Sequence, residues 1–182
     1  MNTPTPHYFI GLDPGTETGL AVWDAQGQVF ARSLLTTTFW DAYDLVLTFD
    51  PDTVLIVLED PSKNPPTFSR NIPESERAFR KRERLSRNVG SNMREALLLA
   101  EGLERQGYRV RRVRPRSSKL SAEAFRRLTR HEGRTSAHAR DAAMLVFGLK
   151  KAPPELPLAI SDRQSLGEAT LGLYAPPPRR KK

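Results

Sequence analysis

Short apolar runs separated by turn residues divide the first sixty positions into strands and one helix. The runs YFIGLD (8–13) and GLAVWD (19–24) are separated by Pro, Gly and Thr, a composition typical of a β-hairpin turn. The segment QVFARSLL (28–35) predicts a third strand, and the apolar spacing of residues 39–49 predicts a helix. The β-branched run TVLIVLE (53–59) lies between two prolines and predicts a buried strand.

The polar pattern changes after this strand. Residues 60–87 are rich in Pro, Arg and Glu, which predicts a mobile polar excursion outside the core, within which ESERAFRKRERL (74–85) is compatible with a helix. Apolar residues at three- and four-residue steps predict a long helix over 88–106. A strand is predicted at 108–113, followed by a short basic helix at 119–131 and a last helix at 135–151.

The order of these elements predicts an α/β fold. Three adjacent strands followed by strand–helix–strand crossovers imply a mixed central sheet of about five strands, the first three antiparallel, with helices on both faces. We expect one domain over residues 1–152. Residues 153–182 are Pro-rich and end in APPPRRKK, which predicts a poorly ordered basic tail.

Composition excludes several classes of protein. The chain has no cysteine, so neither disulfides nor thiolate metal sites are possible. No apolar run approaches the ~20 residues that a membrane span needs, and the N-terminus has no signal-peptide pattern. The sequence therefore predicts a cytoplasmic protein without a membrane partner.

Charge is strongly segregated along the chain. Residues 1–62 contain one basic and nine acidic side chains, a net charge of −8, whereas residues 63–182 contain 28 basic and 12 acidic side chains, a net charge of +16. Most of these bases are Arg, which suits bidentate contacts to phosphate. Such an excess predicts a polyanionic partner, and nucleic acid fits better than an anionic membrane because the arginines do not follow an amphipathic stripe.

Four side chains are candidates for one catalytic site. Asp13 and Glu59 each end a predicted strand, and His138 and Asp141 are three residues apart near the start of the last helix. Taken singly, Asp13 is compatible with a turn residue and the His-x-x-Asp pair with a helix cap. Taken together, they place charges in line with apolar positions, which is costly unless the charges are paired or a cation is bound. Oxygen ligands favour Mg²⁺ or Mn²⁺, and paired ions about 4 Å apart support phosphodiester hydrolysis.

The same motifs resemble the RuvC family of Holliday-junction resolvases, within the RNase H-like superfamily. IGLDPGTETGLAVWD is similar to the family's opening hairpin, VLIVLEDP to its second acidic motif and AHARDAAML to its last motif. The resemblance implies an RNase H-like fold and a catalytic, metal-binding set of Asp13, Glu59, His138 and Asp141, with two ions per site. Asp60 is the neighbouring alternative to Glu59.

The resemblance also implies a homodimer that cuts four-way DNA junctions in recombination and repair. The stretch VRPRSSK places Lys119 on the family's DNA-binding lysine, and helix 88–106 resembles a helix that helps to form the dimer. Phe68 and Phe79 are predicted either to stack on unpaired bases or to pack a loop onto the body. The other predicted DNA contacts are Arg80, Lys81, Arg82, Arg84, Arg112, Arg114 and Arg116.

Other functions remain open from the sequence. GLDPGTETG also resembles the phosphate loop of actin-like sugar kinases, although those proteins need two such lobes. A different RNase H-like nuclease, acting on RNA–DNA hybrids or on branched DNA, shares the acidic motifs. A non-catalytic nucleic-acid-binding module on the same fold is expected to lack one of the acidic positions, and all are present.

Overall fold

The computed structural model describes residues 5–64, 75–116 and 118–150. The helices are α1 (Phe39–Leu47), α2 (Glu76–Arg105), α3 (Ala122–Thr129) and α4 (Ala137–Val146), with short 3₁₀ turns at Pro51–Thr53 and Pro61–Lys63. The strands are β1 (Tyr8–Asp13), β2 (Thr18–Asp24), β3 (Val29–Phe30), β4 (Leu35–Thr37), β5 (Val54–Glu59) and β6 (Arg109–Val113).

The strands form one mixed sheet in the order β3-β2-β1-β5-β6, with β4 also paired to β2. β1, β2 and β3 are antiparallel, whereas β5 runs parallel to β1 and β6 runs parallel to β5. The predicted α/β class, the mixed sheet and the antiparallel first strands are therefore confirmed. The sheet has six strands rather than about five.

Helices cover both faces of the sheet, as predicted. Alternation along β1 directs Ile10 and Leu12 to one face, where they pack in a core with residues of α1 and α2. Phe9 lies on the opposite face, in a second core with Phe125 of α3 and Ala142 of α4. Within the described ranges, no helix has the combination of length and apolar composition that crossing a bilayer requires.

Several predicted elements differ from the structure in their bounds. The last helix, predicted through residue 151, ends at Val146, shortly before Gly148 with its φ of +76°. The third strand, predicted at 28–35, is divided into β3 and β4, which pair with different parts of β2. The helix considered within the polar excursion, ESERAFRKRERL (74–85), is confirmed from Glu76 onward, and it is continuous with the helix predicted at 88–106, so that both form α2. Ser75 caps this helix by accepting a hydrogen bond from the backbone N–H of Ala78. The predicted tail at 153–182 lies outside the described residues.

The first part of α2, residues 76–91, is named the basic segment here. Every side chain described in it is exposed to solvent. Burial of α2 begins around Asn92 and reaches the core at Ala96 and Leu99. The basic segment therefore forms a solvent-exposed helical extension of the helix that packs under the sheet.

Candidate active site at the carboxyl ends of β1 and β5

Asp13 and Glu59 end two neighbouring parallel strands. Leu12 of β1 is paired with Leu58 of β5, so the next residues of the two strands, Asp13 and Glu59, follow side by side. Adjacent strands lie about 4.8 Å apart. Both carboxylates alternate onto the face that α4 covers, and the Asp13 side chain is only 8% exposed. The sheet alone therefore brings two acidic groups together at its edge.

Helix α4 supplies the other two predicted site residues. Ser136 caps the helix through the backbone N–H of Ala139, which places His138 in the first turn and Asp141 in the next. His138 Nδ1 lies 3.0 Å from Asp13 Oδ2. The contact joins positions 125 residues apart in the chain.

Two glycines allow this helix to approach the hairpin. A Cβ atom on Gly19 would lie 2.1 Å from the carbonyl oxygen of His138, and one on Gly11 would lie 2.1 Å from that of Ala142. Both positions face α4 together with Asp13, because Gly11 is two residues before it and Gly19 is its partner on β2. The sequence analysis missed this role. The signal available in the sequence is a pair of glycines, one in each strand of the hairpin, close to the aspartate that ends β1.

Lys119 makes an unanticipated contact with the acidic residues. Its Nζ donates a hydrogen bond to Asp141 Oδ2 at 2.5 Å. The segment that carries it is fixed to α4 by Arg140, whose Nε donates to the carbonyl of Leu120 at 3.2 Å and whose Nη1 donates to that of Thr135 at 2.8 Å. The sequence analysis did not identify Arg140 either, because nothing in its local pattern distinguishes it from the other arginines.

A small cleft opens beside these groups. Its basic and polar residues come from the segment after β6, and its acidic residues come from β5 and α4. The lining residues are Glu59, Arg116, Ser118, Lys119, Leu120, Asp141 and Met144.

Burial and mutual charge perturb the acidic groups. Burial raises the pKa of Asp13, against the opposing effect of its hydrogen bond to His138. Burial and the charge of Asp13 raise the pKa of Glu59 from 4.5 to about 7. The hydrogen bond to Asp141 raises the pKa of Lys119 against the effect of partial burial, with smaller contributions from Asp13 and Glu59. The three carboxylates and the Lys119 ammonium therefore form one electrostatic cluster.

Replacing Glu59 with Gln is expected to stabilise the metal-free protein in a pH-dependent way. The pKa of Glu59 is about 7 in the folded chain and 4.5 ordinarily. Ionisation of Glu59 therefore lowers the free energy of unfolding. This loss grows as pH rises from 4.5 to 7 and is constant above pH 7. The variant avoids this cost. It should match the parent near pH 4.5 and exceed it at pH 8 by about 1–2 kcal/mol, allowing for partial solvent screening.

Urea unfolding in EDTA at the two pH values measures this difference. Glu104→Gln, an exposed position on α2, is the matched control and should show the same stability difference from the parent at both pH values. A Glu59→Gln protein that is less stable than the parent at pH 8 would contradict the electrostatic account.

The alternative ligand Asp60 lies away from the site. It follows Glu59, so its side chain alternates to the opposite face of the sheet. Its Oδ1 accepts hydrogen bonds from the backbone N–H and hydroxyl of Ser62, and its Oδ2 lies 3.8 Å from Arg112 Nη1. Asp60 therefore acts as the cap of a 3₁₀ turn, and Arg112 pairs with it on the face opposite Glu59.

The other predicted DNA contacts occupy two surfaces. Arg116 lines the cleft, and Arg114 next to it donates from Nε to Asn64 Oδ1 at 2.9 Å. The basic segment carries a second group on an exposed helix, which comprises Phe79, Arg80, Lys81 and Arg84. Phe79 is 56% exposed, and Arg80 forms an ion pair with Glu76. Phe68 and the side chain of Arg82 lie outside the part of the chain that the structure describes.

The donor atoms at the site suit a hard divalent cation. Three carboxylates and one imidazole, from Asp13, Glu59, Asp141 and His138, provide the oxygen-rich set that Mg²⁺ and Mn²⁺ prefer. Across residues 5–64, 75–116 and 118–150, no three acidic or histidine side chains are already arranged to hold an ion. His138 contacts one oxygen of Asp13, and Lys119 contacts one oxygen of Asp141. The chemical types of the ligands fit the ion, and the Lys119 ammonium already provides a positive charge there.

Comparison with known proteins leaves the family resemblance untested. No family model matches the chain, and no curated protein matches it. The RuvC-like and RNase H-like assignments therefore stay predictions that depend on the motifs and on the geometry described above.

Proposed function

We propose that this chain is a metal-dependent endonuclease that cuts phosphodiester bonds in four-way DNA junctions, with an RNase H-like fold. The observation that carries the proposal is the meeting of the three acidic motifs at one edge of the sheet. Asp13 and Glu59 end adjacent strands, and His138 of α4 contacts Asp13. Asp141 contributes to the electrostatic environment of Asp13 and of Glu59.

Asp13, Glu59, Asp141 and His138 are the residues that would hold the ions, Mg²⁺ or Mn²⁺. When bound, such a pair supplies an activated water and charge stabilisation for the leaving oxygen. Because two of the carboxylates have pKa values raised by burial, their ionised form is costly in the metal-free protein. This cost favours binding of a cation.

His138 and the basic residues have roles of their own in this proposal. With its proton on Nδ1, His138 donates to Asp13 Oδ2 and fixes the orientation of that carboxylate. The imidazole is 40% exposed, so it is accessible for proton exchange during hydrolysis. Arg116 lies beside Glu59 at the mouth of the cleft and is placed to orient a backbone phosphate.

The basic segment provides a second surface for DNA. Over residues 76–91 it carries six basic and two acidic side chains. Arg77, Lys81 and Arg84 recur at four- and three-residue steps and therefore share one side of the helix. All three are exposed. Such a stripe favours contact with the sugar–phosphate backbone of a duplex arm.

A homodimer fits this substrate, since a two-fold protein presents one site to each of two symmetric strands. The homodimer depends on the resemblance, because the exposed Val89 and Leu98 of α2 are nine residues apart and lie on opposite sides of the helix.

Cleavage assays on three substrates test the proposal. In Mg²⁺ or Mn²⁺, we expect a four-way junction to be cut faster than a matched linear duplex or an RNA–DNA hybrid. We expect a difference of about tenfold or more, which corresponds to about 1.4 kcal/mol of transition-state binding. Faster cleavage of the hybrid would instead assign the chain to another class of RNase H-like nuclease.

A second candidate function is a nucleic-acid-binding module without catalysis. The observation that favours it is the ion pair between Lys119 and Asp141, which occupies a carboxylate that catalysis would need. Junction binding without cleavage of any of the three substrates, in either metal, would support this candidate over the nuclease.

A further inference from the structure

The ammonium group of Lys119 lies among three carboxylates. Its Nζ contacts Asp141 Oδ2 at 2.5 Å, and the charges of Asp13 and Glu59 also act on it. Ionised carboxylates this close together repel one another, and a cation between them lowers that repulsion. In the structure, the ammonium group of Lys119 is the cation that serves this purpose.

The two partners of this ion pair differ in exposure. The Asp141 side chain is 13% exposed, whereas that of Lys119 is 61% exposed. The carboxylate is therefore fixed inside the cleft, and the lysine reaches it from the solvent side. Because a lysine ammonium is a point charge on a flexible four-carbon chain, it moves between neighbouring anions at low cost.

A second anion would meet Lys119 on the same side. Arg116 and Ser118 line the cleft with Lys119, and all three residues are exposed. Three donor side chains within four positions of the chain, at the mouth of an acidic cleft, are suited to a backbone phosphate. A phosphate bound there would compete with Asp141 for the lysine.

We propose that Lys119 is an exchangeable counter-ion that occupies Asp141 in the free protein and releases it when a DNA phosphate binds. This inference depends on the proposed metal centre and deepens it. With Lys119 on the phosphate, Asp141 becomes available to a divalent cation. Binding of DNA and binding of the cation then favour one another, by the same factor in both directions.

Asp141 is held by the ammonium group of Lys119, so the set of metal ligands is completed only when Lys119 moves away. The arrangement favours metal loading of protein that has nucleic acid in the cleft. A purely structural ion pair predicts the opposite result, because removing Lys119 would then loosen Asp141 and weaken any site built on it.

Titration of Mn²⁺ into the full chain without DNA, followed by electron paramagnetic resonance of the free ion, tests the proposal. Lys119→Met is expected to bind Mn²⁺ about tenfold more tightly than the parent, within the usual range of coupling between sites. Lys119→Gln, which keeps a hydrogen-bond donor but not the charge, should also bind more tightly. Lys150→Met removes an exposed lysine elsewhere and should match the parent.

The outcomes separate this inference from the proposed function. If Asp141→Asn loses Mn²⁺ affinity but both Lys119 variants bind like the parent or more weakly, exchange by Lys119 is wrong and the metal centre stands. If adding Asp141→Asn to Lys119→Met, where the ion pair is absent, leaves Mn²⁺ affinity unchanged, Asp141 is not a ligand and the metal centre itself is wrong. Thermal unfolding shows whether each variant folds. We expect the Lys119 variants to fold because the Lys119 side chain is exposed.

Discussion

Replacing Asp13 with Asn is expected to reduce Mg²⁺-dependent cleavage of a four-way junction by about a thousandfold or more, as loss of a charged group at a reacting centre does. The amide keeps the shape of the side chain and an oxygen that accepts a hydrogen bond from His138. It removes the negative charge that the metal centre requires. The effect should therefore appear in the single-turnover rate of cleavage rather than in binding of the junction.

The fold of the Asp13→Asn protein should be intact. Burial raises the pKa of Asp13, so a neutral group of the same shape removes a desolvation cost. We expect its stability in EDTA at pH 8 to equal or exceed that of the parent. Inactivity combined with undiminished stability and junction binding distinguishes a catalytic role from a structural one.

Asp60→Asn is the matched control for this substitution. Asp60 is also a buried aspartate beside a strand end, 3% exposed, but its carboxylate caps a turn on the opposite face of the sheet. An asparagine at this position keeps the oxygen that accepts from Ser62, so cleavage should persist. Parent-like cleavage by Asp13→Asn, or its loss in Asp60→Asn alone, would contradict the assignment of the site.

The positions of Asp13 and Glu59 could be predicted from the sequence because two regularities of β-sheets determine them. Side chains alternate along a strand, which places Glu59 on the same face as Leu55 and Val57. Parallel neighbours end at the same edge, which brings Asp13 beside Glu59. The start of the last helix could also be predicted, because Thr135 and Ser136 are both residues that cap helices, and Ser136 is the observed cap of α4.

The continuity of α2 was missed because residues 60–87 were interpreted as an excursion separate from the helix at 88–106, although a helix was considered at 74–85. A helix that packs against nothing needs no apolar stripe, and the Arg, Lys and Glu residues of the basic segment have high helix propensity. Ion pairs between Glu76 and Arg80 and between Glu83 and Arg87 add support at four-residue spacing. These local signals support the helix considered at 74–85, which the structure joins to the helix predicted at 88–106.

The contact between Lys119 and Asp141 could not be predicted from local patterns. It depends on the path of the chain between β6 and α3, which is irregular and is fixed to α4 by Arg140. Neither periodicity nor spacing determines such a path. The sequence therefore indicated the acidic residues of the candidate site but not the lysine that pairs with one of them.

Replacing Gly19 with Ala is expected to destabilise the protein by about 2–4 kcal/mol, at or above the usual cost of overpacking. The added Cβ would lie 2.1 Å from the carbonyl oxygen of His138 and 2.4 Å from its carbonyl carbon. Both are backbone atoms of α4, so no side-chain rotation relieves the clash and the helix must shift. For a domain of this size, the corresponding decrease in Tm is roughly 5–15 °C.

The same hairpin provides the matched control. Gly15 lies in the turn between β1 and β2, and a Cβ there would have no neighbour closer than 3.5 Å. Gly15→Ala should therefore change Tm by no more than a few degrees, which differential scanning calorimetry resolves. Gly11→Ala, which would meet the carbonyl oxygen of Ala142 at 2.1 Å, should resemble Gly19→Ala.

Displacement of α4 should also disturb the site, because the carbonyl that Gly19 contacts belongs to His138. The hydrogen bond between His138 and Asp13 requires that helix to lie directly on the hairpin. Below its lowered Tm, folded Gly19→Ala protein should therefore cleave junctions more slowly than Gly15→Ala protein. Equal stability and equal activity of the two variants would mean that close contact between α4 and the hairpin does not position the site.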